Sequence, residues 1–142
     1  MIAIGSDSGG FDLKEAVIKH LEEKGVDVND MGCYDKSPCD YPVYGKAVAQ
    51  AVADGSCERG IVICTTGIGI SIVANKVKGI RAALCADTFS AKMTRLHNDA
   101  NVLAMGAGII GPKLAFEIVD TFLETPFSEE ERHIRRIGQI ES

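Results

Sequence analysis

The patterning of the chain predicts an α/β fold, a Rossmann-like three-layer α/β/α sandwich on a five-stranded parallel sheet. Short β-rich runs alternate with helical periodicity from end to end. The run Ile61-Val62-Ile63 is apolar without alternation, as a strand covered on both faces should be. Most glycine and short polar residues fall just after the predicted strands, where open α/β sheets bind ligands.

In order, the predicted strands cover residues 1–5, 26–31, 60–64, 80–85 and 101–105. Leu13, Val17 and Leu21 recur at helical spacing before Gly25, and Val43, Ala47, Val48 and Ala51 do so before Gly55. Further helices are expected over 69–77, 88–96 and 112–123, the last entered through Pro112, which suits a first turn. A final helix over about 128–140 closes the chain and is able to reach a neighbouring subunit. With no repeat, low-complexity stretch or flexible linker, residues 1–142 read as one domain.

Composition removes several classes. A length of 142 residues with 46% hydrophobic content is ample for a core, and no apolar run of membrane-spanning length occurs. The net charge of −5 argues against nucleic acid and anionic membranes as general partners. Met1 leads straight into a strand-like run with no secretory pattern, so the expected address is cytoplasmic. Cys33, Cys39, Cys57, Cys64 and Cys85 are odd in number and contain no C-x-x-C pair, so neither a disulfide framework nor a metal site is expected.

The segment GIVICTTGIGIS, residues 60–71, carries the strongest chemical signal. A strand runs through Gly67 and Gly69 into a helix start, where free amides and the positive end of the dipole face outward. A thiol at that mouth ionises more easily than a free one, and Cys64 occupies it. An aldose–ketose isomerase needs a base for the proton beside the carbonyl, donors for the enediolate oxygens and a proton shuttle. Cys64 supplies the base, the amides of the Gly67 and Gly69 loop and the Thr66 hydroxyl supply donors. Two bland readings stay open for this loop: a core cysteine with a plain turn, or a dinucleotide loop, against which stands Ile72 at the place of a third glycine.

Other clusters are weaker alone. Arg132 and Arg136 share a helix face at i and i+4 and could grip a phosphate, or pair with the glutamates at 129–131. His97 and Asn98 suit ring opening and hydroxyl binding, though a histidine ending a helix also serves structure. His20 is expected to be simply exposed. Ser6-Asp7-Ser8 and Asp40-Tyr41-Pro42 suit sugar hydroxyls or helix caps equally.

Together these segments resemble the type B ribose-5-phosphate isomerase and galactose-6-phosphate isomerase family across essentially the whole chain. The matching stretches are IAIGSDSGGFDLKE, DYPVYGKAVAQAVA, GIVICTTGIGISIVANKVKGIRAALC, HNDANVLAMGA and IVDTFLETPFSEEERHIRR. The resemblance implies a cofactor-free, metal-free isomerase of a sugar phosphate, ribose 5-phosphate nominally, working as a homodimer or tetramer of dimers with sites between subunits. It implies Cys64 as base, Thr66 as donor, His97 as ring opener, and Asn98, Arg132 and Arg136 as substrate binders; from their loops, Asp7, Ser8, Tyr41, Thr65, Gly67, Ile68 and Gly69 are also expected to bind substrate. His97 and Asn98 would come from the partner chain. Three positions depart from the family pattern. Ser8 stands where a histidine is usual, Thr65 where a glycine is common, and Gly108 where many members have arginine. These leave a six-carbon or four-carbon phosphate as alternative substrates, and a non-catalytic nucleotide or sugar-phosphate module as the competing class.

Overall fold

The structure is a computed structural model describing residues 1–142. Five parallel strands form one sheet in the order β2-β1-β3-β5-β4: β1 Ile2–Ser6, β2 Val28–Asp30, β3 Arg59–Cys64, β4 Ala82–Leu84 and β5 Val102–Gly106. The helices are α1 Phe11–Glu23, α2 Tyr41–Ala53, α3 Ile68–Asn75, α4 Thr88–Asn98, α5 Pro112–Glu124 and α6 Glu131–Glu141.

Successive strand residues point to opposite faces, so each central strand feeds two cores. Ile2, Ile4, Ile61, Ile63, Leu103 and Met105 pack with α1 and α5 through Leu13, Val17, Ile118 and Phe122. Ala3, Val62, Cys64, Val102 and Ala104 turn the other way, toward Val48 and Val52 of α2 and Ile70 and Ala74 of α3. Burying one such aliphatic side chain stabilises the fold by about 1.5–3 kcal/mol, which is why the three central strands need both helical layers.

The predicted strands at 26–31 and 80–85 are each only three residues long in the structure. They are the sheet's two edges, each with a single partner and half-exposed side chains, so only the length that pairs with β1 or β5 is held. The last helix begins at Glu131 rather than at 128, because Glu129 takes a left-handed backbone, φ +60°, that a right-handed helix cannot include. His20 is not simply exposed: it bonds Asp120 at 2.8 Å and stacks on Phe116 with centroids 4.4 Å apart, tying α1 to α5.

From β1 the sheet grows to one side through β2 and to the other through β3, and this switch in order places a crevice at the carboxyl ends of β1 and β3. A half-buried ion pair steadies its rim: Lys14, fully buried, lies 2.8 Å from the partly exposed Asp30, which also accepts from the Gly32 amide at 3.0 Å. No helix is long and apolar enough to cross a membrane.

Candidate active site

At the end of β3 the chain turns through Gly67 in the left-handed region, φ +80°. A Cβ there would stand 2.5 Å from Leu84 and 2.8 Å from the Met105 carbonyl carbon, so only glycine fits. The turn brings the Gly67 amide to 3.1 Å from Cys64 Sγ, aiming the sulfur at the cradle although the residue is 6% exposed. The Gly67 N–H is thus engaged by the thiol. The first backbone bond of α3 runs from Ser71 to the Gly67 carbonyl, so the Gly69 and Ile70 amides have no acceptor within the chain. Thr66 Oγ1 accepts from the Ile68 amide at 3.2 Å and keeps its own proton to donate.

Three loops close around this turn. Ala107 and Gly108 donate amides to the Cys64 and Thr65 carbonyls, both at 2.8 Å. Asp7 accepts from Gly10 at 2.9 Å through Oδ1, fixing the loop that carries Ser8. Tyr41 at the start of α2 lies over Gly69, where a Cβ would meet its ring at 2.8 Å. Thus Asp7, Ser8, Tyr41, Thr65, Thr66, Gly67, Ile68 and Gly69 are brought together with Cys64 at one end of the sheet.

Among the remaining thiols, burial pushes Cys39 and Cys85 up to about 11 and also raises Cys57, which leaves them as protonated packing groups near neutrality.

His97, Asn98, Arg132 and Arg136 assemble elsewhere, in a cleft of about 290 Å³ between α4 and α6. Arg132 reaches Glu130 at 3.5 Å across an exposed surface, while Arg136 pairs with no carboxylate, so the predicted neutralisation by the neighbouring glutamates is slight. Thr94 donates to Asn98 Oδ1 at 3.1 Å, leaving the amide nitrogen toward the cleft. Two arginines absent from the sequence reading hold this end of α4. Arg81 donates to the Asn98 and Asp99 carbonyls at 2.8 and 2.9 Å and to Glu141 at 2.8 Å. Arg95, 2% exposed, bonds Asp99 and the Ala100 carbonyl, both at 2.7 Å. A larger adjoining cleft of about 560 Å³ is lined by Arg81 in this committed state and contains neither Cys64 nor the paired arginines.

The two halves lie at opposite ends of the sheet. A helix joining parallel strands runs back against them, so α4 carries His97 to the amino ends, where Asn101 accepts from Gly60 at 3.0 Å. Cys64 is at the other end of β3, about 13 Å along the strand at some 3.3 Å per residue.

The chain thus carries a glycine-lined anion cradle beside a thiol and, apart from it, a paired-arginine cleft, a set suited to proton transfer on a phosphorylated substrate. The chain belongs to the Ribose/Galactose Isomerase family, whose sequence profile matches residues 2–140. It is similar to the ribose-5-phosphate isomerase B of Escherichia coli, at 48% identity over 98% of this chain and 93% of that one. It is also similar to the D-erythrulose-4-phosphate isomerase of Pectobacterium atrosepticum, at 49% identity over 89% of this chain and 84% of the relative. Among solved structures, ribose-5-phosphate isomerase B of Clostridium thermocellum superposes with a TM-score of 0.97, 51% identity and coverage of 99% and 94%. The predicted fold and the isomerase class hold.

Proposed function

We propose that this chain interconverts ribose 5-phosphate and ribulose 5-phosphate, as a single domain, at sites each completed by a second copy of itself. The observation that carries the chemistry is the Cys64 sulfur bonded to the Gly67 amide beside the free Gly69 and Ile70 amides. His97 passes a proton to the ring oxygen and opens the sugar, with Asn98 orienting a hydroxyl. Cys64, as thiolate, takes the proton from the carbon next to the carbonyl. The enediolate oxygens are then held by the Gly69 and Ile70 amides and the Thr66 hydroxyl, which relays the C2 hydroxyl proton to the C1 oxygen as the thiol returns its proton to C1. Arg132 and Arg136 grip the phosphate, while Asp7, Ser8, Tyr41 and Thr65 line the hydroxyls.

The second copy is needed because one chain holds Cys64 and His97 at opposite ends of its sheet. Exposed apolar side chains surround the Cys64 turn: Val43, Ile68, Ile72, Leu84 and Ile109. A face of this kind suits burial against another copy. A cytoplasmic homodimer is the proposed form.

The test is a panel of four-, five- and six-carbon aldose phosphates assayed with wild type and Cys64→Ala, following solvent proton exchange into the substrate. The expected result is ribose 5-phosphate as preferred substrate and a loss of about 10²- to 10⁴-fold in the variant. Full activity in Cys64→Ala removes the base. Preference for erythrose 4-phosphate would favour the four-carbon reading, which the Pectobacterium relative's similarity supports. Tight binding without exchange would make the chain a binding module.

A further inference from the structure

His133 is the one buried residue of α6, 4% exposed on a helix whose other side chains are exposed apart from the half-buried Ile137. Its ring lies against that of His97, with centroids 4.6 Å apart and planes inclined by 39°. Its Nδ1 lies 2.7 Å from Ser128 Oγ, and that oxygen accepts from the Glu130 amide at 3.2 Å. A Ser128 hydroxyl that donates to Nδ1 puts the ring's own proton on Nε2, and Glu130 Oε2 lies 3.6 Å from the same nitrogen. The surroundings favour a neutral ring. Burial lowers His133 from its usual 6.5, opposed by Glu130 and reinforced by the charges of His97, Arg132 and Arg136. His97 is exposed and ends its helix, so nothing in α4 itself restrains its ring.

We propose that His133, locked by Ser128, is a positioning residue that holds the His97 ring at the angle needed to protonate the sugar's ring oxygen. The inference rests on reading His97 as the ring opener. His133 sits between Arg132 and Arg136 in sequence and lines the same cleft from its buried side, so one helix turn both fixes the proton donor and presents the phosphate ligands. Misplacing a reacting group by an ångström costs rate rather than binding. The phosphate grip does not pass through His133, so its loss spares ground-state affinity.

The experiment measures kcat and KM for ribose 5-phosphate in the full-length protein and in His133→Ala, His133→Phe and Ser128→Ala, with urea midpoints for each. In His133→Ala, kcat falls roughly 10- to 100-fold with KM within about twofold. His133→Phe, which keeps a ring against His97, recovers most of that loss, and Ser128→Ala shows a smaller loss of the same kind. Nitrogen-detected NMR of the wild type finds His133 with its proton on Nε2. Unchanged kcat in His133→Ala overturns the proposal, as does a loss confined to KM, or failure of the phenylalanine to recover rate in a variant as stable as wild type. A proton on Nδ1 overturns the Ser128 lock. His97→Asn separates the two levels. Full activity there defeats the ring-opening reading itself, whereas a deep loss there beside an unaffected His133→Ala defeats only this inference.

Discussion

Mixing two dead variants tests the shared site most directly. Cys64→Ala removes the base from one end of the sheet, and His97→Asn removes the proton donor from the other. Each variant alone is expected to fall by about 10²-fold or more. The strand β3 puts these ends about 13 Å apart within a chain, so no single chain places both groups on one small sugar. After the two variants are unfolded together, refolded and allowed to pair at random, half the dimers are mixed. Each mixed dimer holds one site with both groups intact, from opposite chains, and one site lacking both. Activity therefore returns to about a quarter of wild type, against almost none before mixing. The assay is the ketose formation rate at fixed total protein, with each variant refolded alone as control. A mixture no more active than its components would refute the argument, since a site built within one chain cannot be repaired by a neighbour.

Three further predictions concern the frame around that site. Cys85 holds its proton to about 11 in the fold, whereas an exposed thiol releases it near 9.0, so the unfolded chain is favoured as pH rises. This share of stability is whole below about pH 9 and lost by about pH 11, amounting to about 3 kcal/mol, and urea midpoints should fall less steeply across that window in Cys85→Ala. Equal slopes would refute it. Gly67→Ala should cost at least about 2 kcal/mol in chemical denaturation, from positive φ together with backbone collision, whereas Gly25→Ala, at φ +77° in open space, should cost about half as much. Asp30→Asn leaves the fully buried Lys14 with only Glu15 as a charged partner, and a loss of about 3 kcal/mol is expected by calorimetry or denaturant, with a Tm within a degree or so of wild type counting against the pair's role.

What the sequence could reveal followed burial. The strands β1, β3 and β5 are fully covered apolar runs, and local pattern suffices to find them. The edges β2 and β4 are fixed by one neighbour each, so their lengths depend on pairing that no local pattern records. The place of β5 between β3 and β4 depends on which helices cover which face, and it is equally invisible. The Cys64 turn was legible because glycine spacing at a strand end is a local signal. Arg81 and Arg95 were missed because their partners are carbonyls at the close of a helix, identified only by folding. His133 did have a signal. With Ile137 and Ile140 it makes an i, i+4, i+7 face on a helix otherwise rich in charge, which marks it as inward.

Ser8, Thr65 and Gly108, scattered in sequence, meet in the fold. The Thr65 side chain stands against Gly9, next to Ser8, closely enough that a Cβ on Gly9 would collide with its hydroxyl. On its other side, a Cβ at position 108 would lie 3.2 Å from Thr65 Cγ2, while the Gly108 amide bonds the Thr65 carbonyl at 2.8 Å. A larger residue at 108 and a threonine at 65 therefore compete for one volume, and the bareness of Gly108 is part of how Thr65 fits. The space freed by small side chains at 8 and 108 is partly refilled by Thr65, which also brings a hydroxyl to that wall. Cys64 and Thr66 on either side keep their bonds to Gly67 and Ile68 untouched. In the proposed mechanism neighbouring residues thus divide two tasks: residues 64 and 66 would serve the proton transfer, and residue 65 would shape what is admitted to it.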